Sequence, residues 1–313
     1  MLNQAIAVIN GKGGTGKTSI TANLGGLFAA AGYRTLLVDM DPQGNLGRDL
    51  GYLDAGESDD GRALFNAVTT GAELLPLRDV RENLDVIAGG ELVEDMAAAL
   101  YARGTRGQSV ASAVRDALAP LAEGYDLVLL DCPPGNRALQ QMALATAHFV
   151  VIPTKADDAS LDGLVQVAKL FTSVRQEINP ELELLGVVLF GIGTRSRKIA
   201  QRARSTIARD LGDAELVFDA EIRHVEGPAQ DCRRLGKLVH EIEVQLAHDR
   251  KLRFQMLRAN RAAAKGEGRH HPDSESVAAV EALAASAPHL AGDYQRLAEE
   301  LTGRVQVRLQ VPA

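Results

Sequence analysis

Short, uniformly apolar runs recur along the chain, and amphipathic stretches separate them. Ala5–Ile9 is apolar at every position rather than alternating, which marks a strand covered on both faces. Thr35–Val38, Leu84–Ile87, Leu127–Leu130, Phe149–Ile152 and Gly186–Phe190 continue the series. Helical composition fills the gaps at about 17–31, 91–101, 107–121, 136–147, 160–177 and 196–211, and Gly32 suits a C-terminal cap. Residues 53–62, rich in Asp, Gly and Ser, read as a surface loop. Strands alternating with helices predict an α/β fold, a doubly wound, mostly parallel sheet flanked by helices. From about residue 239 the strand pattern stops: 239–265 is helical in composition, 265–272 breaks it with Gly and Pro, and helical pieces follow at about 274–286 and 291–304. The expected organisation is a body over 1–238, a basic helical insertion over 239–290, and a closing helix and tail over 291–313. The last residues, Val305–Ala313, alternate as a strand would.

A hydrophobic fraction of 46% over 313 residues supports a sizeable core and excludes a disordered chain. Two cysteines, Cys132 and Cys232, exclude a disulfide scaffold. No apolar run reaches the ~18 residues of a membrane span. Met1–Gln4 leads directly into the first strand without a charged leader, so a reducing cytoplasm is the expected compartment. The 34 basic against 41 acidic residues give a net charge of −7, which argues against a whole-surface polyanion binder but leaves local basic patches open.

Gly11-Lys12-Gly13-Gly14-Thr15-Gly16-Lys17-Thr18, followed by Ser19, fits G-x-x-x-x-G-K-[ST] between a strand and a helix. Glycines let backbone N–H groups turn onto phosphate oxygens, and the helix N-terminus adds a favourable dipole. Lys17 is placed to reach the β- and γ-phosphates, and the Thr18 hydroxyl to ligate Mg²⁺. Asp39 and Asp41, two apart beyond the second strand, fall at the carboxyl edge of the sheet, where open α/β folds bind ligands. Leu127–Asp131, an apolar strand ending in Asp, has the Walker B pattern that holds a Mg²⁺ water shell. Cys132 has neither a nearby His nor a second Cys at metal spacing, so it reads as a packed thiol.

Lys12 has no role in an ordinary phosphate loop. With it, Lys12–Thr18 resembles the deviant P-loop of the ParA/MinD ATPase superfamily. Asp39-Met-Asp-Pro-Gln-Gly-Asn45 and Asp131-Cys-Pro-Pro134 resemble its ParA/Soj branch in particular. Val151–Thr154 with Leu161–Leu164, Glu226–Lys237 more loosely, and Tyr294–Leu301 extend the likeness over about 1–238 and 291–304. Leu238 stands where the family has proline. The nitrogenase iron protein shares the superfamily but carries its cluster cysteines in another context, so no iron–sulfur cluster is expected. The resemblance implies ATP and Mg²⁺ as cofactors and a catalytic set of Lys12, Lys17 and Asp41. In it Lys12 crosses to the partner's nucleotide, Asp41 positions the attacking water, and Asp39 supports Mg²⁺ through water beside Thr18 and Asp131. It further implies a homodimer on ATP binding and nonspecific double-stranded DNA bound by that dimer. A centromere-binding or cargo-adaptor protein would stimulate slow hydrolysis, and the outcome would be segregation of plasmid or chromosomal DNA on the nucleoid.

For DNA, Arg195, Arg197, Lys198, Arg202, Arg204 and Arg209 fall in a stretch without Asp or Glu, and Arg223 follows. On a helix, residues 195, 198, 202 and 209 share roughly one face that could track a phosphate backbone. A second basic patch in 239–290, from Arg250 to Arg269, interleaves with Leu252, Phe254, Met256 and Leu257. It fits either an amphipathic helix docked on the body or an added DNA or cargo contact. His270-His271 sits in the Gly-rich breaker and reads as solvent-exposed. The C-terminus carries one charge, Arg308, unlike the basic amphipathic helix of MinD, so no membrane contact is expected. No helix-turn-helix segment precedes residue 11, so site-specific autorepression is not expected. The alternatives are a positioning ATPase for a protein cargo, which shares every motif, and a metabolic ATP-dependent enzyme, which needs a cluster of polar substrate groups that the loops do not show.

Overall fold

The computed structural model describes residues 1–104, 110–193, 196–264 and 283–310. Among these, β1 (Leu2–Val8), β2 (Thr35–Asp39), β3 (Leu77–Arg81), β4 (Leu84–Ile87), β5 (Leu127–Asp131), β6 (Ala147–Thr154), β7 (Glu183–Ile192) and β8 (Val217–Arg223) form one sheet. Its order is β3-β4-β2-β5-β1-β6-β7-β8, parallel throughout except for the β3–β4 hairpin. The helices are α1 (Lys17–Ala30), α2 (Asn45–Leu50), α3 (Arg62–Thr70), α4 (Glu91–Gly104), α5 (Ala113–Ala122), α6 (Arg137–Thr146), α7 (Asp158–Glu177), α8 (Arg197–Leu211), α9 (Glu226–Leu235), α10 (Val239–Ala264) and α11 (Ala287–Gln310).

The doubly wound α/β architecture agrees with the sequence pattern, and the uniformly apolar strands lie in the middle. All five residues of β2 are buried, because helices cover both faces. On one face Ile20 and Leu24 of α1 pack with Ile242 of α10 and Leu290, Leu297 and Leu301 of α11. On the other, Val93 and Met96 of α4, Leu118 of α5, Leu139 of α6, Val167 of α7 and Ile207 of α8 form the second layer. Burying each such aliphatic side chain contributes roughly 1.5–3 kcal/mol.

The helices α2, α3 and α9 fall where the sequence pattern predicts none, and two further elements depart from it. β3, Leu-Arg-Asp-Val-Arg, is a half-exposed hairpin edge with too few apolar residues to signal a strand. Val305–Gln310 continues α11 rather than forming a strand. Leu301 and Val305, four apart, turn toward the core while Val307 and Leu309 face solvent. Arg304 pins this part of the helix, donating to the carbonyls of Leu185 (2.8 Å), Glu215 (2.7 Å) and Val217 (3.0 Å) with its guanidinium 4.0 Å from the Phe218 ring centroid. One turn earlier, Glu300 accepts the free-edge N–H groups of Asp219 (3.0 Å) and Ala220 (2.8 Å) on β8. The helix expected at 239–265 is α10, whereas the piece at 274–286 lies mostly outside the described residues.

Register brings the chemistry together. Asp131 lies opposite Val8 at the end of β1 and opposite Asp39 at the end of β2. The glycine loop, the Asp39–Asp41 turn and the Asp131 carboxylate therefore share one carboxyl edge.

Candidate functional site

The loop between β1 and α1 is shaped by its own sequence. Gly14 and Gly16 adopt φ of 70° and 90°, where a side chain would be strained. Gly16 also lies against the Phe190 ring, which a Cβ would meet at 2.3 Å. Asn10 fastens the loop, donating to the Pro153 carbonyl (2.7 Å) and accepting from the Lys12 N–H (2.9 Å). Lys17 is buried, and its ammonium donates to the Lys12 carbonyl across the loop at 3.0 Å. Burial lowers the Lys17 pKa, opposed chiefly by Asp131. The Lys12 ammonium instead lies at the rim, 3.2 Å from Asp157 and 3.4 Å from the Ser160 hydroxyl, at the start of α7. The Lys12 and Asp157 side chains are 40% and 50% exposed, so this pair is a weak tether.

The acidic residues divide by their partners. Asp39 is fully buried and accepts the N–H groups of Asp41 (2.9 Å) and Leu46 (3.3 Å), which folds the turn after β2. Asp41 accepts the Gln43 N–H at 2.9 Å. Asp131 is fully buried too, yet neither of its oxygens has a hydrogen-bond partner. Burial pushes its carboxyl up to about 7, while the Thr18 hydroxyl and the Lys17 ammonium, nearby but not in well-directed bonds, favour its charge. Burial and Asp131 raise Asp39 well above the ordinary range. A dry, unpartnered carboxylate beside a threonine hydroxyl at a phosphate loop is the donor set of a hydrated Mg²⁺, so the residues present fit that ion.

Beyond Gly16 a cleft of about 670 Å³ opens between the loop and the last elements. Ser19, Asn23 and Phe190 line one side, and Ile222, Leu238, Leu290 and Tyr294 supply apolar walls suited to a planar base. Its far wall comes from β8, α9 and α11.

Sequence reasoning missed Gly89. A Cβ there would stand 2.6 Å from the Asp39 carboxyl carbon and 2.7 Å from the Asp41 carbonyl, so only glycine lets the β4 end pass this turn. The Gly-Gly pair after an apolar strand was the available signal. Lys155, which carries no motif, also borders the cleft near Gly14.

The basic residues separate in the same way. Arg195 lies outside the described residues. Arg197, Lys198 and Arg202 are exposed on α8, and Arg209 is exposed but pairs with Asp210 at 3.1 Å. Arg204 turns inward, donating to the carbonyls of Phe218 and Asp219 and pairing with Glu221 at 3.2 Å. Arg223 is clasped by the buried Asp293 of α11 at 2.6 and 2.8 Å. Those two guanidinium groups are engaged inside the fold, which corrects their expected place on an open phosphate-tracking surface.

A family model described as an AAA domain matches residues 3–184. The chromosome partitioning protein ParA of Myxococcus xanthus is 32% identical over 234 residues, covering 73% of this chain and 79% of that protein. The chain belongs to the ParA/Soj family. The chromosome-partitioning ATPase Soj of Thermus thermophilus is 33% identical over 226 residues, covering 72% of this chain and 84% of its own length. The crystal structure of cobyrinic acid a,c-diamide synthase from Mycobacterium smegmatis with bound ATP analogue and magnesium aligns at a TM-score of 0.56. It is 29% identical over 64% of this chain and 78% of that one. As a member of the ParA/Soj family the chain is an ATPase with ATP and Mg²⁺ as cofactors.

Proposed function

We propose that this protein is an ATP-switched dimer that holds nonspecific duplex DNA in its ATP state and drives the segregation of a DNA cargo. The observation that carries the reading is the second lysine of the loop. Lys12 is tethered only at the rim, by an exposed Asp157 and the Ser160 hydroxyl, and can reach a nucleotide outside its own subunit for little cost. In this cycle residues 11–19 cradle the phosphates, Lys17 neutralises the β- and γ-oxygens, and Thr18 and Asp131 take the Mg²⁺ shell. Asp39 holds the turn that aims Asp41, and Asp41 orients the attacking water. Two subunits then present Arg197, Lys198, Arg202 and Arg209 together. Doubling a weak patch raises avidity without any new contact. A partner protein that stimulates hydrolysis returns the subunits to monomers. Among the described residues no helix is long and apolar enough to cross a membrane.

The test is fluorescence anisotropy of a labelled random-sequence duplex at fixed moderate salt with ATP, with ADP and without nucleotide. Binding confined to ATP is the expected result. Equal binding in all three conditions would refute the switch, and no binding in any would refute the DNA reading.

A further inference from the structure

A third lysine stands at the phosphate loop. Lys155 follows β6, the strand beside β1, and its side chain reaches back over the loop. A Cβ built on Gly14 would lie 3.8 Å from its ammonium, and one built on Gly191, at the end of β7, 3.8 Å from its Cε. Among the described residues its ammonium forms neither an ion pair nor a hydrogen bond. Lys12 leans on Asp157 and Lys17 on a carbonyl, but Lys155 has no such anchor.

The Lys155 ammonium stands over Gly14 of the glycine loop, which leads into the N-terminus of α1, and pairs with no carboxylate among the described residues. A helix N-terminus and a glycine loop favour a bound anion, and an anion seated there would supply the partner that the ammonium lacks. The direction of approach narrows which part of the anion. Lys155 borders the cleft together with Gly14, Gly16 and Ser19, on the side that leads to the apolar walls. Thr18, Asp41 and Asp131 are absent from that lining. We propose that Lys155 binds the α- and β-phosphates of the nucleotide held in its own subunit, and so sets the affinity for ADP as well as for ATP. A residue acting on both nucleotides holds the product after hydrolysis as firmly as it holds the substrate. Exchange of ADP, rather than the terminal phosphate alone, is then under its control.

The inference rests on the nucleotide site assigned above. Calorimetric titration of Mg·ADP and Mg·ATP into wild-type protein, Lys155→Ala and Lys155→Arg tests it, with Lys17→Ala for comparison. Lys155→Ala is expected to weaken both nucleotides alike, by roughly tenfold or more, the scale of one charge-assisted hydrogen bond. Lys155→Arg should recover most of that loss, which a merely structural lysine would not require, and the affinity of Lys155→Ala should depend less steeply on salt than that of wild type. Unchanged affinities in Lys155→Ala, or a loss confined to ATP, would overturn the proposal. Wild-type protein that binds no Mg·ADP would overturn the nucleotide site itself. Binding lost in Lys17→Ala but intact in Lys155→Ala would remove Lys155 alone.

Discussion

Asp131 is a fully buried carboxylate without a hydrogen-bond partner among the described residues, and its protonation should be visible in stability. Its carboxyl titrates near 7 in the fold, against about 4 in an unfolded chain. Between those values the folded state binds the extra proton, so stability falls as pH rises from about 4 to about 7. The melting temperature of the nucleotide-free protein should therefore drop between pH 5 and pH 8, and Asp131→Asn should flatten that slope. Parallel pH profiles for the two proteins would refute it. Mg·ADP should raise the melting temperature more at pH 8 than at pH 5, since the ion requires the ionised form. Asp131 was legible as the end of an apolar strand, and so was Lys17 from its spacing. That Asp39 spends both oxygens on backbone N–H groups while Asp131 has none was not legible, because partners depend on where the turn to Leu46 travels. The Gly89-Gly90 pair signalled a close approach, but what approaches it was hidden for the same reason: Asp39 and Asp41, which demand the bare Cα, are far away in the chain.

At the scale of elements, α8 shows how one helix serves two purposes. Its sequence predicts a basic helix, and its outward residues Arg197, Lys198 and Arg202 fit that reading. Arg204, in the same run, instead closes the open edge of β8 through the Phe218 and Asp219 carbonyls. A charge run says nothing about which of its members point inward. Lys198→Glu with Arg202→Glu should lower affinity for the ATP-dependent DNA complex while leaving stability within about 0.5 kcal/mol of wild type. Arg204→Ala should cost about 1–3 kcal/mol by leaving carbonyls without their donor. Urea unfolding and duplex anisotropy on the same samples separate the two effects. A stability loss in the double variant equal to that of Arg204→Ala would sink the distinction. The β strands were legible wherever both faces are buried, and β3 was not, because an exposed hairpin edge needs little apolar content. The alternation of Val305, Val307 and Leu309 suggested a strand, but the docking of Leu301 and Val305 decided for helix.

For the whole molecule, a mostly parallel sheet covered by helices on both faces followed from the spacing of apolar runs, whereas the strand order did not. The cleft did not, because α11 returns from the far end of the sequence to wall it. Dimerisation also belongs to this scale. Asp41→Ala should bind ATP yet fail to hydrolyse it, so light scattering should report a long-lived dimer with ATP and monomer with ADP. A variant that stays monomeric with saturating ATP would contradict the role given to Asp41.

The fastening of β8 by Glu300 and Arg304 bears on how the chain matures during synthesis. The glycine loop leaves the ribosome long before the strap over the β8 edge and the Leu290 and Tyr294 walls of the cleft. Contacts of such long sequence separation close late, so a nascent chain would carry its phosphate loop without a finished nucleotide cleft until α11 emerges. Ligand competence should thus arrive abruptly, with that helix, rather than grow with chain length.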